Sequence, residues 1–388
     1  MRTSLILLSV LFLGSCDLKK SDYLVENRIS SYSLNSSFKE FQLLGDSLTL
    51  PYYAQMDVWT SGNVEFLYGY NHTTHSLDVF DLNQRKISHR ILLESDGPDA
   101  VDRIYQIKVI GTDSIALLQG LKMGLINNDG IVLQNISLVH NDSVGNRNGY
   151  FYNYNDARIV YQKSSKSFIL HFMNEAVKEG IFNPIDPPAI FGEVNLLGNI
   201  DFIPISYPEI FFDRKGKVAE HMPNYSVYDG KLIYGFTFES NVYTFDLLSK
   251  DRKVYGGKSS VAQNMEDFEL TKNASYRLVG TWFNRVVFNP ENNFYYRTHW
   301  GSQAALQLDS TPSTALTKPG YVMIFDENFS VVDEIELPEK YWLEDSFMFS
   351  EGLAFWSKDQ YIENENVIVL GILKVNVKNN QPSHSRIK

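Results

Sequence analysis

The feature that most constrains this 388-residue chain is a cadence of short runs in which apolar and polar residues alternate. Alternation of period two puts successive side chains on opposite faces of a β-strand. The runs are punctuated by Gly, Asn, Asp and Pro at roughly eight- to twelve-residue spacing, the pattern of an all-β sandwich, barrel or propeller. Extended 3.6-residue periodicity is nearly absent. The 23 Tyr and 25 Phe add to the case, since aromatic side chains suit a pleated, half-buried surface.

The clearest unit spans residues 101–138. Strands are predicted at 101–110, 114–119, 121–127 and 131–138. Gly111-Thr112-Asp113, Gly120 and Asn128-Asp129-Gly130 separate them, and Asp-Gly is a strong hairpin signal. Four antiparallel strands joined by tight turns make one propeller blade. The same rhythm recurs at 53–59, 64–70, 77–82 and 86–93. It returns at 156–161, 167–172, 189–196 and 199–205, then at 224–228, 231–238, 241–247 and 252–255. A fifth set lies at 281–289, 293–299, 320–325 and 330–337. The last set, 347–350, 353–357 and 367–377, has only three strands. A run at 38–44 supplies the fourth and closes the ring, which protects sheet edges. The prediction is an all-β, β-propeller fold of six four-stranded blades over 38–378, with seven as the alternative.

A phrase repeats across the sets. Leu77-Asp78-Val79-Phe80-Asp81-Leu82, Asn241-Val242-Tyr243-Thr244-Phe245-Asp246-Leu247 and Gly320-Tyr321-Val322-Met323-Ile324-Phe325-Asp326 each alternate to an aromatic-Asp end and then turn. The chain carries no Trp-Asp repeat signature, no complete kelch signature and no aspartate box. The stretch Leu93-Glu94-Ser95-Asp96-Gly97-Pro98-Asp99-Ala100-Val101, leading into Asp113-Ser114-Ile115, resembles the domain-of-unknown-function family 4221 of Bacteroidetes lipoproteins. The resemblance implies a lipid-anchored, propeller-like protein. It brings no established activity and no functional residues.

The N-terminus gives a location. Arg2 precedes an apolar run at 5–13, and Gly14, Ser15 and Cys16 follow, so residues 1–15 read as a secretory signal peptide. Leu13-Gly14-Ser15-Cys16 resembles the bacterial lipobox, in which the cysteine is acylated and becomes the first residue. Cys16 is the sole cysteine, so no disulfide can form within the chain. Residues 16–37 are polar and Ser-rich and read as a flexible stalk, and 379–388 as a polar tail. The expected location is the cell envelope, anchored to the outer membrane through the bilayer-inserted acyl chains of Cys16. The net charge of −11 argues against nucleic acid as a partner.

Common catalytic signatures are missing: no nucleophile elbow, phosphate loop, dinucleotide turn or zinc helix. No catalytic residue, cofactor or metal is assigned. His72 and His75 share one turn, but no third ligand lies nearby, so a solvated hairpin is the expectation. The acidic turn 94–99 lacks calcium-loop spacing. Trp59, Trp282 and Trp342 are expected in packing between blades. The candidate ligand-binding residues are Arg297, His299 and Trp300, because Arg clamps oxyanions and Trp offers a flat ring. They precede a long loop at 301–319, where binding concentrates. Insertions at 174–188 and 256–278, the second with a short helix near 261–268, could cover the propeller mouth. The function expected is a binding or scaffold module with an envelope protein or glycan as partner. The alternative is a polysaccharide hydrolase or lyase using carboxylates at the mouth.

Overall fold

A computed structural model describes residues 24–25, 32–97, 99–141, 149–151, 158–174, 189–208, 222–264, 276–307, 310–359 and 366–377. Two N-terminal strands come first, β1 (Leu24–Val25) and β2 (Leu34–Leu44). The first set is β3 (Met56–Ser61), β4 (Val64–Asn71), β5 (Ser76–Asp81) and β6 (Lys86–Leu92). The second is β7 (Ile104–Gly111), β8 (Ser114–Gln119), β9 (Lys122–Ile126) and β10 (Val132–Ser137). The third holds β11 (Val139–His140), β12 (Gly149–Phe151), β13 (Val160–Gln162), β14 (Ser167–Asn174), β15 (Phe191–Asn195) and β16 (Ile200–Phe202). The fourth is β17 (Pro223–Tyr228), β18 (Lys231–Phe236), β19 (Val242–Asp246) and β20 (Arg252–Tyr255). After a one-turn helix α1 (Tyr276–Val279) come β21 (Trp282–Asn289), β22 (Phe294–Trp300), β23 (Gly320–Phe325) and β24 (Val331–Leu337). The last three strands are β25 (Phe347–Phe349), β26 (Gly352–Trp356) and β27 (Val367–Val377).

The repeated phrase has a local cause. Asp81 Oδ1 accepts the amide of Gln84 at 2.8 Å, where β5 ends. Asp246 Oδ1 accepts from Leu248 and Ser249 at 3.0 and 2.8 Å. Asp326 Oδ1 accepts from Asn328 and Ser330, both at 2.9 Å. Each Asp thus caps the turn after a third strand, as Asx turns do, and the aromatic before it is buried. Asn127 and Asn195 perform the same task after β9 and β15. The hairpin between β17 and β18 uses Asp229 and Gly230 at φ 47° and 72°. Two positive φ values match the right-handed strand twist of a type I′ turn.

The arrangement of sheets is propeller-like, but six separate four-stranded sheets do not form. Among the described residues there are five sheets. The first and last sets share one, in the order β25-β26-β27-β2-β6-β5-β4-β3. β2 pairs antiparallel with β27 from Leu34↔Val377 to Leu44↔Val367. Its last residue, Leu44, then meets Lys86 of β6 in parallel, and this single register pair fuses the two sets. β2 starts at Leu34, so the end of the expected stalk is strand. Leu24 and Val25, also within that stretch, pair with Val254 and Tyr255. The third set is wider than expected because β11 and β12 extend its sheet.

The signal peptide, Cys16, most of the stalk and the tail lie outside the described residues, as do 175–188 and 265–275. Residues 261–264 form no helix. Among the described residues, no helix is long and apolar enough to cross a membrane.

The core consists of aromatic and branched side chains between sheets. One continuous cluster runs from Ala116 and Leu118 through Phe168, Phe191, Tyr234 and Tyr296 to Phe355 and Val375. Trp282 belongs to it, Trp342 packs against it and against the cluster around Trp356, and Trp59 packs against a third. The first strands of the successive sets, β3, β7, β13, β17, β21 and β25, touch one another in that order, and β25 returns to β3. These strands bring their residues to a common axis.

Candidate functional site

Arg297 and His299 lie on β22 at alternate positions, and both touch the Phe283 ring, consistent with a shared face. That face is closed. Arg297 is fully buried. Its Nε donates to Asn284 O at 2.9 Å, and Nη1 to Ser240 O and Asn241 O at 2.7 and 3.0 Å. Its Nη2 donates to Phe236 O at 3.1 Å. The guanidinium therefore ties β22 to the end of β18 and the following turn. Burial lowers its pKa to about 10, and Glu239 opposes that shift. Glu239 accepts from Asn241 Nδ2 and the Tyr243 hydroxyl, both at 2.8 Å, and burial pushes its carboxyl up to about 7.

His299 is also fully buried, stacked on Tyr321, with Nε2 at 2.7 Å from Glu334 Oε1. Glu334 accepts from Ser259 and Ser260 as well. Burial raises its pKa, but these donors outweigh burial and hold it at about 2. Trp300 Nε1 donates to Glu344 Oε1 at 2.7 Å, while the Lys358 ammonium covers its ring at 4.8 Å. The residues expected to bind a ligand, Arg297, His299 and Trp300, are turned inward: Arg297 and Trp300 donate to groups inside the protein and His299 meets Glu334 through Nε2, while its Nδ1 is buried with no hydrogen-bond partner among the described residues. The side chains of a second strand lie between neighbouring sheets, where most buried polar groups find hydrogen-bond partners.

The convergence of first strands forms a different site, a cavity of about 290 Å³. Its lining draws on β3, β7, β13, β17, β21 and β25 and on residues just before them. Among the described residues, five charged side chains reach it: Asp57, Lys108, Arg158, Arg285 and Asp345. Lys108 Nζ pairs with Asp57 Oδ1 at 2.9 Å, and Asp57 Oδ2 accepts the Val109 amide at 2.8 Å. Arg158 Nη2 pairs with Asp345 Oδ1 at 2.9 Å, and the Tyr52 hydroxyl donates to Asp345 Oδ2. Burial, then the charge of Asp345, raise the Tyr52 pKa, so the phenol stays protonated.

Arg285 differs from the other two cations. Its Nη2 donates to Ser346 O at 2.9 Å, and its Nε is buried with no hydrogen-bond partner among the described residues. The register of β21 against β22 shifts between Phe283 and Val286, so Asn284 and Arg285 oppose one residue of β22. Bulges of this kind re-aim side chains and recur beside functional sites. Sequence reasoning missed Arg285, although a signal existed: Asp57, Lys108, Arg158, Arg285 and Asp345 all lie in or just before a first strand.

Other expected features are quieter. His75 Nδ1 meets the Tyr70 hydroxyl at 3.0 Å, while His72 is exposed. Among the described residues, no group of three or more His, Cys, Asp or Glu is placed to hold a metal. The described part of the 94–99 turn is exposed, closed by the Val101 amide on Glu94 O at 2.8 Å.

Fold and site together define an all-β protein with a propeller-like arrangement of sheets around an axial cavity. The family model for DUF4221, a domain of unknown function, matches residues 31–336, and the chain belongs to that family. A crystal structure of a DUF4221 family member from Bacteroides vulgatus is similar with a TM-score of 0.72 and 18% identity, covering 90% of this chain and 100% of that one. A Bacteroides fragilis protein described as a candidate exported protein is similar with a TM-score of 0.55 and 12% identity, covering 89% and 95% of the two chains. At these identities the likeness speaks to the fold alone. No curated protein matches the sequence.

Proposed function

We propose that this chain is an exported binding module of the bacterial cell envelope, lipid-anchored through Cys16, which takes a ligand into its axial cavity. The observation that carries the reading is the pairing of charges in the cavity: among the described residues, both lining carboxylates, Asp57 and Asp345, are held in ion pairs. A hydrolase or lyase needs a carboxyl free to move a proton or attack at the reacting bond. The raised carboxyls, Glu239 and Glu344, are buried against their own partners and do not line the cavity. The enzyme alternative therefore has less support than the binding one.

Six first strands around one axis favour reading the eight-stranded sheet as two blades, giving six in all. β2 would then close the ring. The lipobox resemblance and the exported relative of similar fold support an envelope location, with the stalk lifting the folded part from the outer membrane. The wider partner would be an envelope protein or glycan.

The test is native mass spectrometry of the protein after incubation with detergent-solubilised envelope. Wild type should retain a small-molecule adduct, and Val287→Trp, which fills the cavity, should lose it while keeping its circular dichroism. An adduct retained by Val287→Trp, or turnover of envelope polysaccharide, would contradict the reading. Labelling with radioactive palmitate should vanish in Cys16→Ser; persistent label would remove the anchor.

A further inference from the structure

We infer that the axial cavity binds a small monoanionic organic acid, its carboxylate seated on Arg285 and its apolar body against the inner strands. This rests on the cavity being the ligand site.

The argument starts from charge balance. The chain is acidic, with net charge −11. The cavity inverts that sign, because among the described residues Lys108, Arg158 and Arg285 face only Asp57 and Asp345. Lys108 and Arg158 each have an acid in direct contact. Arg285 has no ion pair among the described residues, although Asp345 and Asp57 act on it from farther away. Burial lowers its pKa to about 10, with the nearby Arg158 adding to the shift, so it remains charged at neutral pH. Arg285 is half-buried; a partly desolvated charge without a direct counter-charge is costly, and an anion in the cavity would offset that cost.

The chemistry of the anion follows from the donors. A guanidinium presents its N–H groups as a planar fork that matches a carboxylate with two parallel hydrogen bonds. Nε is sealed within the protein and Nη2 already donates to Ser346 O, so Nη1 is the donor left for the cavity, at a bulge that sets Arg285 out of the strand's alternation. One uncompensated positive charge suits a monoanion better than a phosphate dianion. The rest of the wall is apolar or weakly polar, including Met56, Val58, Val227, Val287, Phe288 and Met348. A volume of about 290 Å³ lies at the small end of ligand pockets, which run from roughly 300 to 1,000 Å³. It fits one compact molecule and not a polysaccharide chain.

The experiment is isothermal titration of the full chain with phenylacetate, 4-phenylbutyrate and hexanoate, with phenylacetamide as the uncharged isostere and inorganic sulfate as the bare anion. At least one acid should bind at one site per chain, and the amide at least tenfold more weakly. Arg285→Gln should weaken the acid at least tenfold, and Arg285→Lys less, with unfolding curves showing that both variants fold. Equal binding of acid and amide, or unchanged binding by Arg285→Gln, would overturn the inference. Sulfate binding as tightly as the acids would overturn the apolar half. If no acid binds while Val287→Trp still abolishes an envelope adduct, the cavity remains the ligand site and the organic acid falls. If that adduct is absent too, both readings fall.

Discussion

Arg285 and Arg297 sit on adjacent strands of one sheet, and both are pushed to a pKa of about 10 by burial. Their surroundings differ. Arg297 spends its donors on four backbone carbonyls, from Phe236, Ser240, Asn241 and Asn284. Arg285 makes one such bond, to Ser346 O, and leaves Nε unused. A side chain on a second strand meets the neighbouring sheet, whereas one on a first strand meets the axis. The same residue type is therefore a tie between sheets in one place and a candidate receptor for an anion in the other.

The largest expected effect tests the tie. Arg297→Met keeps volume but removes the donors to four carbonyl oxygens, so stability should drop by about 3–5 kcal/mol in urea titrations. A loss under about 1 kcal/mol would mean that the carbonyls find other donors.

The next effect is pH dependence beside the same residue. Burial raises the Glu239 pKa from 4.5 to about 7. Between these values the native state holds a proton that the unfolded chain has released. Stability from this group is therefore complete below about pH 4.5 and declines as pH rises through about 7. The decline should be about 1–3 kcal/mol, and Glu239→Gln should flatten it. Matching slopes in urea titrations of wild type and variant would show that Glu239 stays ionised in the native state.

The smallest effect belongs to Trp300→Phe. It removes the donor to Glu344 and should cost about 1–2 kcal/mol, read as a lower urea midpoint. Ligand binding should be unaffected. Impaired binding with intact fold would return the β22 cluster to candidacy and blur the contrast with Arg285.

Much of the fold is legible in the sequence because strand identity is written in alternation and in turn chemistry. The strands Arg252–Tyr255, Gly320–Phe325 and Val367–Val377 begin and end at the predicted residues. The start of β2 is not legible, since Leu34–Ser37 are partly or fully exposed and join the sheet through backbone pairing with β27. Gly149–Phe151 is too short to show a period. In the strand ladder, the fusion of the first and last sets shows as one register pair, Leu44 with Lys86, far apart in sequence.

The site was less legible. Alternation correctly gives Arg297 and His299 a common face, but not its burial, because the accepting carbonyls lie some 60 residues away. Arg285 escapes for the opposite reason. Alternation through Trp282-Phe283-Asn284-Arg285-Val286-Val287 fails at a bulge, and no local pattern announces where the bulge points.

The most direct measurement is a crystal structure with 4-bromophenylacetate, using anomalous scattering to locate the bromine. The prediction is one bromine peak inside the cavity between β3, β7, β13, β17, β21 and β25, with the carboxylate on the Arg285 guanidinium. A peak at the Trp300 end of β22 or along the 301–319 loop, with none on the axis, would contradict it.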